Sequence, residues 1–413
     1  MRRDPAEPFR AAVTGLGLVT PAGVGVDANW KRVLSAVPTA SADPALAGLP
    51  VDFSCRVPAD FDPGAVLGRR TAWRLGRHVQ LGMVAAREAL RDCGLDPHTW
   101  DGARVGVVMG NSLGGTETFE QQCLALRDRG AQAVSPMFIS MWGANMVAGH
   151  IAIDCRAGGP NLVVTTACAS GGTALGVARD LLRNGTCDIV LAGGTEAALS
   201  RTIIAGLTSM GVLSRRSDDP PAAFRPFDVD RDGFVAAEGA GVLVLEREAD
   251  ARARGARVRA HISGYGGSAD AVHQAAPDPD GSGFERALRT ALSDAGLSGE
   301  DVDHVNAHGT ATELNDIGET RVLRRVLGPR PAVTSTKGVT GHCIAAAGAI
   351  EAVYTVLSIE HGLVPAVANL ERLDPRIDAD IVQGSARAMP VEVAVNVAFG
   401  LAGQNAVVVL TAA

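Results

Sequence analysis

Lysine is almost missing from this chain. Of 38 basic residues only Lys31 and Lys337 are lysines, and the other 36 are arginine. A lone lysine in the C-terminal half, Lys337, therefore stands out. Aromatic residues are only 4% of the chain, whereas there are 49 glycines. That balance suits tightly packed α/β layers in which backbones approach closely. No CxxC pair occurs. The seven cysteines, 55, 93, 123, 155, 168, 187 and 343, are scattered and odd in number. This is the usage of reduced thiols in a cytoplasmic protein rather than of a disulfide framework. There is no excess of positive charge. The net charge of −7 argues against a general nucleic-acid binder, although local basic patches stay open. Long apolar runs are missing too. The N-terminus, Met1 to Arg10, is polar, and the apolar stretch after it is short, Gly-interrupted and followed by Pro21. Neither a signal peptide nor a membrane span is expected.

What remains is a chain of 413 residues, 46% hydrophobic and 20% charged, with the charges spread along its length. Such a chain has ample material for a core, is not a disordered polymer, and has the length of two or three domains. Strand-like apolar runs alternate with helix-like stretches. Ala11–Val19, Ala103–Met109, Asn161–Thr166 and Asp188–Leu191 read as strands, the last ending at Gly193-Gly194. Val79–Cys93 reads as a helix stopped by Gly94, and Gly171–Leu182 as one ending near Gly185. In the second half Arg286–Ala295 and Ala345–Ile359 read as helices. Val302–Ala307, Val393–Val397 and Ala406–Leu410 read as strands, with a Gly-rich turn after Val397. The alternation implies βαβ units and a largely parallel sheet. Gly239–Leu245, "GAGVLVL", echoes Gly403–Leu410, "GQNAVVVL". A duplicated α/β unit follows as a hypothesis, with residues 1–255 and 256–413 as the halves and the charged segment Glu246–Ala256 as a surface connection.

Cys168 follows a strand and precedes a helix that starts in small residues, Ala169-Ser170-Gly171-Gly172. A thiol there faces unpaired N–H groups and the positive end of the helix dipole, which favours thiolate. The rival reading is a small buried core residue. His308 falls at the carboxyl end of the strand 302–307, where open α/β sheets place ligands. His304 and His308 lie about 13 Å apart on a strand, too far to share a metal ion. His342 lies in a Gly-broken loop before an Ala-rich helix, where a surface or capping role competes with a functional one. Lys337 has Glu319 and Asp316 upstream as candidate partners, with an ordinary surface charge as the alternative. Two decoys fail. Asp228-Val229-Asp230-Arg231-Asp232-Gly233 opens like a calcium loop, but Gly239 stands where the final Glu is required. Gly15-Leu16-Gly17 opens like a dinucleotide fingerprint, but Thr20 holds the third glycine position. No metal site is expected.

Five ordered segments carry a resemblance: "TTACASGG" around Cys168, "RPFDVDRDGFVAAEGAG" at Arg225–Gly241, "NAHGTATELND" around His308, "STKGVTGH" ending at His342, and "FGLAGQN" at Phe399–Asn405. Together with "VTGLGLVTPAG" and "NMVAGH" they resemble the β-ketoacyl-[acyl-carrier-protein] synthase family, elongating type, over essentially the whole chain. The resemblance implies the thiolase fold, with duplicated βαβαβαββ halves in five αβαβα layers. It implies a decarboxylative condensation in which Cys168 accepts the acyl chain. His308 and His342 would assist loss of CO₂ from a malonyl extender, and Lys337, paired with Glu319, would organise them. It implies an oxyanion hole from the N–H groups of Cys168 and Leu401. Thr310 and Thr312 would hold the phosphopantetheine arm, and Phe399, Leu401 and Leu113 would meet the substrate. No cofactor is implied beyond the phosphopantetheine of the acyl carrier protein.

The implied partners are that carrier, docked on Arg69, Arg70, Arg74 and Arg127, and a second subunit. The second subunit is a homologous chain-length factor or an identical chain, met through the apolar segment Ser135–His150. The family's usual C-terminal loop has a second Phe and a Gly where this chain has Leu401 and Ala402. That departure resembles the ketosynthase subunit of a type II polyketide synthase of the polyene, ishigamide-like kind, with housekeeping fatty-acid elongation as the alternative. A non-catalytic chain-length factor usually replaces the nucleophile, whereas Cys168 is present. A thiolase would need a second Cys in Phe399–Asn405. A starter synthase would carry Asn in place of His342.

Overall fold

The computed structural model describes residues 8–413, so most of the polar N-terminal stretch, residues 1–7, lies outside the described residues. The apolar runs form two sets of five strands. In the first half these are β1 (Ala11–Thr20), β2 (Val105–Gly110), β3 (Asn161–Val164), β4 (Ile189–Ala197) and β5 (Glu238–Arg247). They lie in the spatial order β3-β2-β4-β5-β1. In the second half β6 (Ala260–Ala269), β7 (His304–Asn306), β8 (Ala332–Thr334), β9 (Val393–Gly400) and β10 (Gln404–Thr411) repeat that order as β8-β7-β9-β10-β6. The strand senses repeat as well. β2 is parallel to β3 and β4, as β7 is to β8 and β9, and the remaining pairs in each half are antiparallel. The two sets join where β1 pairs β6 at Ala11–Val13.

Five layers result. Helix α1 (Arg77–Cys93) packs on β1 and β5, and α2 (Met146–Cys155) packs on β2, covering the outer face of the first sheet. Helix α4 (Ser282–Ala295) packs on β6 and β10, with α5 (Glu313–Leu327) beside it, on the outer face of the second. Between the sheets lie α3 (Ser170–Arg183) and α6 (Ala347–His361), which touch each other and both sheets. Being wrapped on all sides, α6 is apolar all round, with Ala347–Ser358 buried.

The glycines of β1 have a packing role. A Cβ on Gly15 would sit 2.2 Å from the Ala89 carbonyl oxygen, and one on Gly17 1.9 Å from that of Ala85. These residues let α1 lie directly on β1 and do not shape a dinucleotide turn. The second half repeats the arrangement, with Gly264 and Gly266 of β6 under the carbonyls of Ala291 and Ala287 of α4.

Two strand ends differ from the sequence expectation. Gly193-Gly194 is not a turn, and β4 runs on to Ala197. A Cβ on Gly193 would meet the Gly241 oxygen at 2.1 Å, so these glycines serve close strand packing. Likewise β9 continues past Val397 to Gly400. By contrast the strand expected over 302–307 is shorter, His304–Asn306. The charged connection forms a short helix, Glu248–Ala253, between β5 and β6. Among the described residues no helix is long and apolar enough to cross a membrane.

Candidate active site

The turn between β3 and α3 presents Cys168. Ala167 takes a left-handed conformation (φ 50°), and the Ser170 hydroxyl closes the turn. It donates to the Ala167 carbonyl at 2.6 Å and accepts from the Thr166 N–H at 2.9 Å. Cys168 itself is partly exposed. The expectation of a favoured thiolate is corrected here. Burial of the sulfur pushes the thiol up to about 12, with the Lys337 charge pulling the other way. At neutral pH the resting group is a thiol that needs a proton acceptor.

His308 leaves the end of β7 and His342 precedes α6. Both are buried, which excludes the surface or capping reading of His342. Their rings lie 5.4 Å apart and nearly perpendicular. Phe399 stacks edge-on against His308 at 5.3 Å, and Phe234 against His342 at 5.0 Å. The Nδ1 atoms of both rings have no hydrogen-bond partner among the described residues. Burial, reinforced by the charge on Lys337, holds both imidazoles well below 6.5. Each is therefore neutral at pH 7, with one N–H to donate and one nitrogen to accept.

Lys337 is fully buried, so it is no ordinary surface charge. Its partner differs from the one expected. The ammonium pairs with Glu351 Oε1 of α6 at 2.5 Å. Glu319 instead accepts the backbone N–H groups of His308 (2.7 Å) and Gly309 (2.9 Å) and so fixes the start of the histidine loop. Asp316 accepts from the Phe227 N–H at 2.9 Å and pairs with Arg231 at 3.3 Å. Burial raises the carboxyls of both Glu319 and Glu351 to about 7. Cys168, His308 and His342 all respond to the charge on the buried Lys337.

Leu401 and Ala402 lie in the tight turn between β9 and β10. Leu401 is 41% exposed, and Ala402 is held at φ 67°, a region that favours glycine. The turn is braced from outside, where the Ala402 N–H donates to the Gln274 carbonyl at 3.0 Å. Its base touches the cysteine turn: a Cβ on Gly400 would meet the Thr166 oxygen at 2.3 Å and the Ala167 Cβ at 3.1 Å. The residue before Leu401 is thus packed on the two residues that precede Cys168. Thr310 is buried and Thr312 partly exposed, with their hydroxyls 3.0 Å apart. Leu113 packs against the cluster that also holds Cys168.

Farther out, Arg69, Arg70 and Arg74 are exposed and flank Trp73, itself 75% exposed. Arg127 is also exposed but is engaged by Asp128 at 2.6 Å. In the Ser135–His150 segment, Ile139 and Trp142 face solvent, and Phe119, Phe138 and Trp142 form one aromatic cluster. The three acids of the calcium-like loop are occupied internally. Asp228 accepts from Arg225, Asp230 pairs with Arg372, and Asp232 accepts from the Ser214 hydroxyl.

The sequence reading passed over three residues of this neighbourhood. Glu351 carried a legible signal, a lone acid within the apolar run of α6. Phe234 lies inside a motif already quoted. Glu196, at the end of β4, is fully buried and accepts N–H groups from Asn111, Ser112 and Leu113. Nothing in its local pattern marked it.

Paired five-strand units, a two-helix central layer, and cysteine and histidines at the carboxyl ends of the strands define a thiolase-fold protein. The chain belongs to the β-ketoacyl synthase family, a family of acyltransferases. The family's N-terminal domain matches residues 9–251 and its C-terminal domain residues 259–371. Among curated proteins it is 42% identical to "3-oxoacyl-[acyl-carrier-protein] synthase 2" of Synechocystis sp., over 97% of each chain. It is 37% identical to the protein of the same name in Vibrio cholerae, over 96% of this chain and 97% of that one. Among solved structures it is similar to "the ishigamide ketosynthase/chain length factor", with a TM-score of 0.91 and 33% identity, covering 98% of this chain and all of that one. It is equally similar in shape, at 31% identity and the same coverage, to a chain in a type II PKS acyl-carrier protein complex with its ketosynthase bound to the hexaketide.

Proposed function

We propose that the protein is a ketosynthase that extends an acyl chain held on Cys168. The observation that carries this reading is the pair of buried histidine rings 5.4 Å apart, which together with Cys168 feel the charge of the buried Lys337. In the loading step the Cys168 sulfur attacks the thioester of an acyl carrier protein. The acyl group passes to sulfur, and the Cys168 proton ends on the departing phosphopantetheine thiol. Storing the chain as a thioester divides one difficult step into two. A malonyl group on a second carrier then loses CO₂, leaving an enolate. The enolate carbon attacks the Cys168 thioester, a carbon–carbon bond forms, and the sulfur leaves and regains a proton.

Neutral imidazoles suit the decarboxylation. Their N–H groups stabilise charge developing on the thioester oxygen without a strong base. Glu319 holds the His308 loop, burial with the charge on Lys337 keeps both rings neutral, and the N–H groups of Cys168 and Leu401 receive the oxyanion of the acyl thioester. Thr310 and Thr312 hold the phosphopantetheine arm, and Phe399, Leu401 and Leu113 line the acyl path. The only prosthetic group in the cycle is the carrier's own phosphopantetheine, and the protein works in the cytoplasm. Residues 1–255 supply the cysteine and residues 256–413 both histidines.

The role we favour is in type II polyketide synthesis, with an unsaturated chain as substrate and a chain-length factor as the second subunit. Leu401 and Ala402 support it, as does the likeness to the ishigamide and hexaketide-bound ketosynthases. Trp142 and Ile139 offer an apolar face for that subunit. Arg69, Arg70 and Arg74, exposed beside Trp73 and without an ion-pair partner among the described residues, suit an acidic carrier better than Arg127, which Asp128 engages. Fatty-acid elongation is the second reading, favoured by the 42% identity to a 3-oxoacyl-[acyl-carrier-protein] synthase 2. Intact-protein mass spectrometry with an acyl carrier should find an acyl adduct on wild type and none on Cys168→Ala. An equal adduct on that variant removes Cys168 from the mechanism. Product analysis with malonyl carrier, with and without a co-expressed partner, separates the polyketide and fatty-acid readings.

A further inference from the structure

Glu196 is a buried carboxylate that the chemistry above does not use. It stands at the carboxyl end of β4, beside the end of β2, where Gly110 pairs with Gly194. Its Oε1 accepts from Asn111 Nδ2 at 3.1 Å, and its Oε2 from the N–H of Ser112 at 3.1 Å and of Leu113 at 3.3 Å. No cation pairs with it among the described residues. Burial therefore pushes its carboxyl up, while the three converging N–H donors favour the ionised form. A residue that only filled space here would need no charge. A carboxylate is the side chain that offers two acceptor oxygens to donors converging from three consecutive residues.

Those donors lead in two directions. The Ser112 hydroxyl donates to the Ala167 carbonyl at 3.1 Å and lies 3.2 Å from the Ser170 hydroxyl. These are the two residues that close the turn around Cys168. Leu113, the next residue, packs against the same core cluster as Cys168, and the ketosynthase reading puts it on the acyl path. One carboxylate thus grips adjacent N–H groups, one belonging to the seat of the thiol and the other to the wall of the pocket.

We infer that Glu196 is a positioning residue that couples the acyl-pocket wall at Leu113 to the seat of Cys168, so that the length of the bound chain affects the reactivity of the thiol. This inference rests on the ketosynthase reading. A chain that presses on Leu113 moves the Asn111–Leu113 loop against a fixed carboxylate, and the displacement reaches Ala167 through the Ser112 hydroxyl.

The test uses the full chain with its carrier protein. Glu196→Gln replaces one acceptor oxygen by an NH₂ group that faces N–H donors, so one of the two grips is lost. Acylation of Cys168, followed by intact mass, should slow by about tenfold, the scale of one hydrogen bond to a charged group. The ratio of acylation rates for long and short acyl carriers should shift by at least about threefold. Alkylation of Cys168 by iodoacetamide, which needs no substrate, should depart from the wild-type rate, since the Glu196 charge that helps hold the thiol up is removed as well. Ser112→Ala cuts the link to Ala167 but keeps both N–H contacts. It should slow acylation and shift the length ratio as Glu196→Gln does, because the displacement no longer reaches Ala167.

A purely structural Glu196 would lower the melting temperature and scale all chain lengths equally. A wild-type length ratio together with a wild-type alkylation rate in Glu196→Gln overturns the coupling. If that variant does not fold, an unaltered acylation rate in Ser112→Ala overturns it instead. If wild type takes no acyl group at all, the ketosynthase reading fails, and the alkylation rates of both variants still decide the coupling.

Discussion

Replacing Lys337 by Met removes the one buried cation of the site. Its side chain is fully buried and that of Glu351 is 3% exposed, with 2.5 Å between them. Deleting one member of such a pair costs about 3–5 kcal/mol. Here the cost should fall at the low end, about 3 kcal/mol at pH 7. The Glu351 carboxyl is already raised to about 7 with Lys337 pulling it down, so in the variant it takes up a proton instead of remaining an unpaired charge.

The sign with pH follows. A carboxyl whose folded pKa lies above its unfolded value gives stability that is present at low pH and lost as pH rises. The variant should therefore lose about 1.4 kcal/mol per pH unit, relative to wild type, as pH rises above 7 toward its new folded pKa. The double variant Lys337→Met/Glu351→Leu removes both charges and should recover most of the stability, because apolar replacement of a buried pair is often neutral. It should not recover activity. Without Lys337 the Cys168 thiol loses the charge that pulls it down and the histidines lose the charge that keeps them neutral. The assays are urea unfolding by circular dichroism between pH 6.5 and 8.5, and acylation of Cys168 by intact mass. A single variant costing under about 1 kcal/mol, or a double variant no more stable than the single, would refute the pairing. Full acylation by the double variant would refute the action of Lys337 on the site.

Other consequences are as direct. His308→Ala and His342→Ala should each slow malonyl decarboxylation by roughly 10²–10³-fold while Cys168 still accepts an acyl group, and labelled CO₂ release at the wild-type rate would exclude either ring. His304 lies outside the site, buried against the Ala332 carbonyl at 2.8 Å, and burial lowers it to about 4. A depressed histidine gives stability that is full above about 6.5 and lost as pH falls toward 4, so the destabilisation caused by His304→Gln should shrink by up to about 1.4 kcal/mol per pH unit over that window. A penalty equal at pH 7.5 and pH 5 in denaturant unfolding would contradict it. Leu401→Phe places a flat ring on an exposed turn that Ala402 already holds at positive φ. It should penalise polyenoyl carriers more than saturated carriers of equal length in competition assays, and equal losses would remove Leu401 as a selectivity element.

Much of this protein was legible in one dimension. Strand runs, Gly-stopped helices and the echo of "GAGVLVL" in "GQNAVVVL" follow from local rules. Period and turn chemistry act over a few residues, so β5 and β10 could be read without knowing what they pack against. Cys168, His308 and His342 were legible as a set because each sits in a long motif at a strand or helix end. Tertiary structure alone decided the electrostatics and the contacts. Lys337 has acids upstream at 316 and 319 and downstream at 351, and local sequence does not say which of them it meets. The choice of Glu351 depends on α6 being threaded between two sheets, where the one acid of its buried run meets Lys337. The raised Cys168 thiol is another case, since a helix terminus acts locally whereas desolvation sums everything that surrounds the sulfur. Gly193-Gly194 reads as a turn by composition and becomes mid-strand because the neighbouring β5 backbone needs the space. The grip of Glu196 on Ser112 and Leu113 bridges residues more than 80 apart in the chain. Local sequence fixes conformation over short spans, but the partner of a buried charge and the solvation of a reactive group are properties of the whole packed molecule.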